Sequence, residues 1–250
     1  MTAIDEKNLD KVWAVVLAAG KGTRMKAKEK NKVAYHLNGV PMVSRTINIL
    51  REAGVRNILV VVGHAKESVL SLLDEEIQAV EQKKRLGTGH AVMCAMKKIP
   101  NDTEHVIVLN GDDSFLFSPD LLKQLFRKHT ETNSEITFLT IEMENPKGLG
   151  RIERNAEGKV VDIVEEKDAN ENQRKINEIN AACYLFSYNF LKNNIGKIEK
   201  SKTSGEYYIV SLVEIAVKAK ERVEALMINK LKWRGVNTPE ELEEAEMLVV

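Results

Sequence analysis

The sequence is poor in cysteine, in aromatic residues and in net charge, and each scarcity excludes something. Cys94 and Cys183 are the only two cysteines in 250 residues, and neither stands in a ligand spacing such as CxxC. Both sit in hydrophobic stretches and read as buried thiols in a reducing compartment, not as a disulfide framework. No apolar run approaches the ~18 residues needed to cross a bilayer. The opening residues, MTAIDEKNLDK, are polar and carry acids, unlike a signal peptide or presequence. The expectation is a cytoplasmic protein without a membrane partner. With 37 basic and 37 acidic side chains, the chain lacks the excess positive charge of a nucleic-acid coat. Its basic stretch has no interleaved aromatics, so a nucleic-acid partner is excluded as well. Oligomeric state is not readable from the sequence.

What is present is enough for a substantial core, since 43% of the residues are hydrophobic and 30% charged, as in ordinary globular proteins. The neutral total hides two patches. Between Lys21 and Lys32 there are six basic residues against Glu29 alone, while Glu240, Glu241, Glu243, Glu244 and Glu246 cluster near the other end.

Strand-like and helical patterns alternate through the first half. Apolar runs at 12–17, 57–62, 77–80 and 106–109 read as strands. Helices are expected at 41–53, 65–74, 89–98 and from Ser118 to about His129, the last with a Ser cap and Pro119 in its first turn. Such alternation implies right-handed βαβ crossovers and a mostly parallel, Rossmann-like sheet flanked by helices. The second half has strands at 136–143 and 179–186, a hairpin turning at 156–158 and a strand at 224–228. Helices are expected there at 206–220 and 239–247. The fold class expected is α/β with an added antiparallel part.

The sharpest motif, LAAGKGTRM at 17–25, follows the first strand directly. Ligands of open α/β sheets collect at the carboxyl ends of strands. Gly20 and Gly22 can adopt positive φ and let several backbone N–H groups converge on phosphate oxygens. Lys21, Arg24 and Lys32 supply neutralising cations. The string is neither a P-loop nor a dinucleotide fingerprint, because GxxxxGK[ST] is absent and Met25 occupies the third glycine position of GxGxxG. On glycines and charge alone, a βα turn with solvated lysines remains open.

The full string resembles the signature of the sugar-phosphate nucleotidyltransferases, in the form found in bacterial N-acetylglucosamine-1-phosphate uridylyltransferases. The resemblance extends from Trp13 to about Ala245 through six motifs in order. It implies a nucleotide-diphospho-sugar transferase fold and a loop, Leu17, Ala18, Ala19, Gly20 and Gly22, wrapped around nucleotide phosphates. It implies a second phosphate lysine too, aligned with Lys32, although Asn31 replaces the usual proline and Lys30 stays open. Gln82 and LGTGH at 86–90 resemble the base-recognition segment, with Gly87 and Thr88 close to the base. A carboxamide suits the imide edge of uracil, and equally that of thymine. His90 has no visible acid or base partner and reads as structural.

Asp112 ends the VIVL strand and, with Asn237 of the GVN motif, is implied as an Mg²⁺ ligand pair, Asp113 being the neighbouring alternative. Gly150, Glu165, Asn180 and Tyr208 match sugar-site motifs, although Val210-Ser211 replaces the commoner Thr-Asp and removes a hydroxyl. One nucleotidyltransferase domain over 1–250 is expected, with a nucleotide-binding half at about 11–135, a sugar-binding half at about 136–238 and a terminal helix at 239–250. The bifunctional members of the family continue into an acetyltransferase part, which is not expected here. The implied substrates are UTP and N-acetylglucosamine 1-phosphate. Alternatives are dTTP, another sugar 1-phosphate such as glucose 1-phosphate, or a catalytically silent subunit that binds nucleotide sugars.

Overall fold

The computed structural model describes residues 9–25, 29–229, 233 and 235–248. The first eight residues of the polar N-terminal segment, and residues 26–28 of the basic stretch, lie outside these. Among the described residues nine strands form one sheet, in which the order β11–β7–β10–β6–β1–β4–β5 runs from edge to edge and β8 and β9 attach beside β10. These strands are β1 (Val12–Ala18), β4 (Asn57–Val62), β5 (Gln78–Glu81), β6 (His105–Asn110), β7 (Ile136–Glu142), β8 (Arg151–Arg154), β9 (Val160–Val164), β10 (Glu178–Ser187) and β11 (Val223–Ile228). A separate two-stranded ribbon joins β2 (His36–Leu37) to β3 (Val40–Pro41).

β1 pairs in parallel with both β4 and β6, and β4 with β5. Antiparallel pairing enters where β10 joins β6 and β7, and again in the β8–β9 hairpin. The alternation of β1 explains its unbroken apolar sequence. Val12, Ala14, Val16 and Ala18 face one core with α1 (Met42–Glu52) and α4 (Pro119–Thr132). Trp13 and Val15 face another with α3 (Thr88–Met96), α5 (Tyr188–Asn194) and α6 (Ser211–Lys218). Burial on both faces is what a doubly covered parallel strand requires. From β1 the chain goes to β4 on one side, and it later returns to β6 on the other. The β1–β6 boundary is therefore a topological switch point, where such sheets form a ligand crevice.

The cap expected at Ser118 is present, since its Oγ accepts from the Leu121 N–H at 3.2 Å. Three local expectations are corrected. The helix expected at 65–74 is only α2 (Glu67–Leu70), and α5 was not anticipated because Ser187 gives it no side-chain cap. The helix expected at 206–220 begins only at Ser211. Tyr207 is held instead as extended chain: its N–H donates to Leu86 O at 2.7 Å, and its carbonyl accepts from the Gly89 N–H at 2.8 Å. The Ile209 N–H donates to Thr88 Oγ1 at 3.0 Å. Backbone groups committed to another segment cannot close helical turns.

Candidate active site

The loop after β1 opens at the switch point. Gly22 takes φ +58°, a conformation glycine adopts without Cβ strain, whereas Gly20 stays outside the left-handed region. The expectation of positive φ at both glycines is thus met at one. A short turn, Thr23–Met25, then buries Met25 against Leu37, Met42, Phe115 and Val236. With Met25 anchored, Arg24 projects outward, and its Nη2 donates to Asn237 Oδ1 at 3.0 Å.

Asn31 is the loop's internal tie, a role its sequence position does not announce. It is 1% exposed. Its Nδ2 donates to the carbonyls of Ala18 at 3.0 Å, Gly20 at 3.2 Å and His64 at 2.7 Å, and its Oδ1 accepts from the Val33 N–H at 3.1 Å. The Asn31 N–H donates to Ser68 Oγ at 2.9 Å. The Asn31 carboxamide thus ties the start of the glycine loop to the chain after β4, and the residue's backbone N–H ties it to α2.

A cleft of about 520 Å³ lies over this loop. Leu17, Ala18, Ala19, Gly20, Lys21, Gly22, Lys32, Gln82, Gly87, Thr88, Asp112 and Tyr208 all line it, together with Asn31, Arg85, Asn110 and Glu206, which sequence reasoning did not single out. Arg24 and Asn237 reach its rim through Lys32, whose Nζ donates to Asn237 Oδ1 at 3.0 Å and pairs with the Asp112 carboxylate. Lys30 is elsewhere, its ammonium 5.3 Å from the centre of the Tyr35 ring. Of the two lysine candidates, Lys32 lines the cleft and Lys30 does not.

The two adjacent carboxylates are separated as well. Asp112 lines the cleft, while Asp113 is buried and accepts from Asn110 Nδ2 at 2.8 Å. Burial, and then the neighbouring Asp112, push the Asp113 carboxyl well above the usual carboxylate range. Asn237 is not the cap of α7 (Pro239–Leu248). Thr238 Oγ1 accepts from the Glu241 N–H at 3.2 Å, and Glu241 accepts from the Asn237 N–H at 2.6 Å, which leaves the Asn237 carboxamide to meet Arg24 and Lys32.

A divalent cation fits this donor set. The Asp112 carboxylate and the Asn237 carboxamide oxygen both converge on one ammonium, so two hard oxygens already face a single cationic centre. Mg²⁺ commonly takes only one or two protein groups and completes its shell with phosphate and water. Among the described residues there is no cluster of three or more His, Cys, Asp or Glu side chains able to hold a metal.

The residues expected to read the base and those expected on the sugar side meet across the loop 206–209. Gly87 has φ +98°, and a Cβ there would come within 2.5 Å of Tyr207 O. Its missing side chain thus serves the approach of Tyr207. His90, expected to be merely structural, has its Nδ1 3.0 Å from Gln82 Nε2. Gly150, Glu165 and Asn180 do not line the cleft. The Asn180 N–H donates to Gly150 O at 2.9 Å, and Asn180 Nδ2 donates to the hydroxyl of the buried Tyr184. A bulge in β10 between Asn180 and Tyr184, with Ala182 at φ +54°, sets this arrangement, and the Ala182 N–H donates to Asn180 Oδ1 at 3.0 Å. Bulges of this kind re-aim side chains next to binding sites.

Glu165 follows β9. Burial first, and then Asp168 and Glu206, raise its pKa from 4.5 to about 7. A carboxyl raised on folding contributes stability that is complete below its unfolded value and is lost as pH rises through about 7. Glu165→Gln is therefore expected to stabilise the chain by on the order of 2 kcal/mol at about pH 8 and by little at about pH 5. Urea unfolding at the two pH values measures this, and an equal gain at both would show that ionisation is not the cause.

The family model for nucleotidyl transferases matches residues 13–250. The chain belongs to this family. Within it, "Bifunctional protein GlmU" of Geotalea daltonii is 39% identical over 242 residues, covering 96% of this chain and 52% of that protein. Its namesake in Caldicellulosiruptor saccharolyticus is 40% identical over 235 residues, covering 93% of this chain and 50% of that one. The chain thus spans about half the length of these relatives. A Bacillus anthracis structure carrying the name glucose-1-phosphate thymidylyltransferase superposes with a TM-score of 0.79 at 20% identity, covering 95% of this chain and 94% of that one. That likeness shows the shared fold, a mostly parallel sheet with flanking helices and antiparallel strands.

Proposed function

We propose that this member of the family transfers a uridylyl group from UTP to N-acetylglucosamine 1-phosphate, yielding UDP-N-acetylglucosamine and pyrophosphate. One observation carries the reading: a single cleft at the switch point gathers the glycine loop, Lys21, Lys32, Asp112, Gln82 and Tyr208. The likeness to the two GlmU relatives supports the choice of reaction class.

In this reading a phosphate oxygen of the sugar substrate attacks the nucleotide α-phosphorus in line, and pyrophosphate leaves opposite. The second pKa of a phosphate monoester is ~6, so the nucleophile is already mostly dianionic at neutral pH and needs no general base. The chain's part is positioning and charge neutralisation. Backbone N–H groups of residues 19–23 cradle the phosphates, while Lys21, Arg24 and Lys32 offset the charge that builds on the leaving group. Asp112 and Asn237 would hold Mg²⁺, which supplies charge stabilisation to the reacting phosphates when bound. Gln82 reads the base. Glu165, Asn180, the Gly150 backbone and Tyr208 form the sugar side, so the half at about 136–238 serves the sugar as the half at about 11–135 serves the nucleotide.

A pyrophosphate-release assay with four ribonucleotides and dTTP against several sugar 1-phosphates tests the proposal. Highest kcat/KM is expected for UTP with N-acetylglucosamine 1-phosphate in the presence of Mg²⁺. Release with no pair, together with retained binding of nucleotide sugar, would identify a silent binding subunit instead.

A further inference from the structure

The contacts of Gln82 constrain its chemistry more tightly than its position in the cleft does. Its own N–H donates to Val62 O at 2.8 Å, which continues the pairing of β5 with β4 and fixes the backbone. The side chain is 4% exposed, with Nε2 donating to Gly87 O at 2.9 Å and standing 3.0 Å from His90 Nδ1. A carbonyl only accepts, so the amide nitrogen, not the oxygen, must face Gly87. An amide nitrogen only donates, so the facing His90 Nδ1 must carry a lone pair, and the imidazole proton sits on Nε2. Both amide hydrogens are then engaged within the protein. Among the described residues no hydrogen bond reaches Oε1, which is left to meet a ligand as an acceptor.

Uracil presents an N–H at position 3 of its pairing edge, where cytosine of the same size presents a lone pair. A carboxamide restricted to acceptance matches the first and repels the second. Turning the carboxamide over to suit cytosine would set Oε1 against Gly87 O, and against His90 Nδ1 as well unless the imidazole proton moved from Nε2 to Nδ1 at the same time. We propose that His90 is a positioning residue for base choice, whose bare Nδ1 holds Gln82 as a pure acceptor and so makes the cleft favour uracil over cytosine nucleotides. This rests on the reading of the cleft as a nucleotide site, and it adds a residue that touches no substrate.

The surroundings of His90 favour the neutral ring that this contact requires. Burial first, and then Lys97 on its own helix and Lys84 on the preceding loop, hold its pKa below the ordinary histidine value. The Tyr207 ring stacks on it at 6.4 Å between centres, and the Lys200 ammonium lies 5.5 Å from that same ring's centre.

The test compares the full chain with His90→Phe and His90→Asn, and with His90→Leu as a second acceptor-free variant. Asn places a carboxamide oxygen close to the position of Nδ1. Binding of UTP and of CTP is measured by calorimetry, and kcat and KM for both by pyrophosphate release. The acceptor-free variants are expected to lower the UTP-over-CTP preference at least ~10-fold, through KM for UTP with kcat little changed, while His90→Asn restores the preference. An unchanged preference in a folded acceptor-free variant overturns the inference. So does a His90→Asn variant as unselective as His90→Phe. A parent chain that prefers UTP in calorimetry but releases no pyrophosphate overturns the proposed reaction and leaves the role of His90 standing.

Discussion

Asp112→Ala is expected to lower turnover by at least ~10³-fold while the chain stays folded. The side chain is partly exposed in the cleft and, among the described residues, pairs only with Lys32, whereas its backbone carbonyl, which accepts from the Val236 N–H at 3.2 Å, survives the substitution. The fold should therefore be indifferent, with melting temperature and circular dichroism close to the parent's. Function should not be. Among the described residues Asp112 is the one carboxylate that both pairs with Lys32 and lines the cleft, since Asp113 is turned inward onto Asn110. Without it, Asn237 alone remains to face a divalent cation, and Lys32 loses the partner that holds its ammonium at the rim. Near-normal Mg²⁺-dependent pyrophosphate release by the variant would sink the assignment.

Asn31→Ala should combine a loss of stability with a loss of activity. The substitution removes the donor shared by three loop carbonyls and the acceptor of the Val33 N–H, all in a place 1% exposed. Stranded buried polar groups cost about 1–3 kcal/mol each, with partial relief from water or movement, so a loss of about 3 kcal/mol is expected. In a chain of this size that lowers the melting temperature by on the order of 10 °C. At a temperature where the variant is still folded, kcat/KM should fall roughly 10²-fold, because the loop's amides no longer converge on one geometry. Asn31→Asp separates the two effects. It keeps the bond to Val33 but sets a carboxylate oxygen against the loop carbonyls, and it should behave no better than alanine. Parent-like activity in Asn31→Ala would show that the loop holds its shape without this tie.

Asn31 also marks where the sequence stops being informative. The buried strands were legible because apolar runs such as NILVVV have no other place in a folded chain. The start of α4 was legible because Ser118 and Pro119 are local signals. The short extent of α2 and the extended chain before α6 were not, since Tyr207 is kept extended by bonds to Leu86 and Gly89, residues far away in sequence. The site divides in the same way. Loop and motif residues declared themselves through spacing, and most of them line one cleft. Asn31 and Tyr184 carry no motif of their own, and His90, though it closes LGTGH, shows no partner in the sequence; what all three do depends on which carbonyl, amide or hydroxyl the fold brings to them. Which of Lys30 and Lys32, and which of Asp112 and Asp113, faces the cleft likewise depends on direction in space.

The bonds between Tyr207 and the Leu86–Gly89 loop have a bearing on how such a chain diversifies. On the proposed reading, a wall beside Tyr208 that retreated to admit a bulkier sugar would drag Gly89, the first turn of α3 and thus His90. On that same reading a change of acceptor and a change of nucleotide are coupled through these bonds. Substitutions that broaden the first should loosen the second, and restoring base fidelity would then call for compensating changes in α3 and not in the sugar pocket.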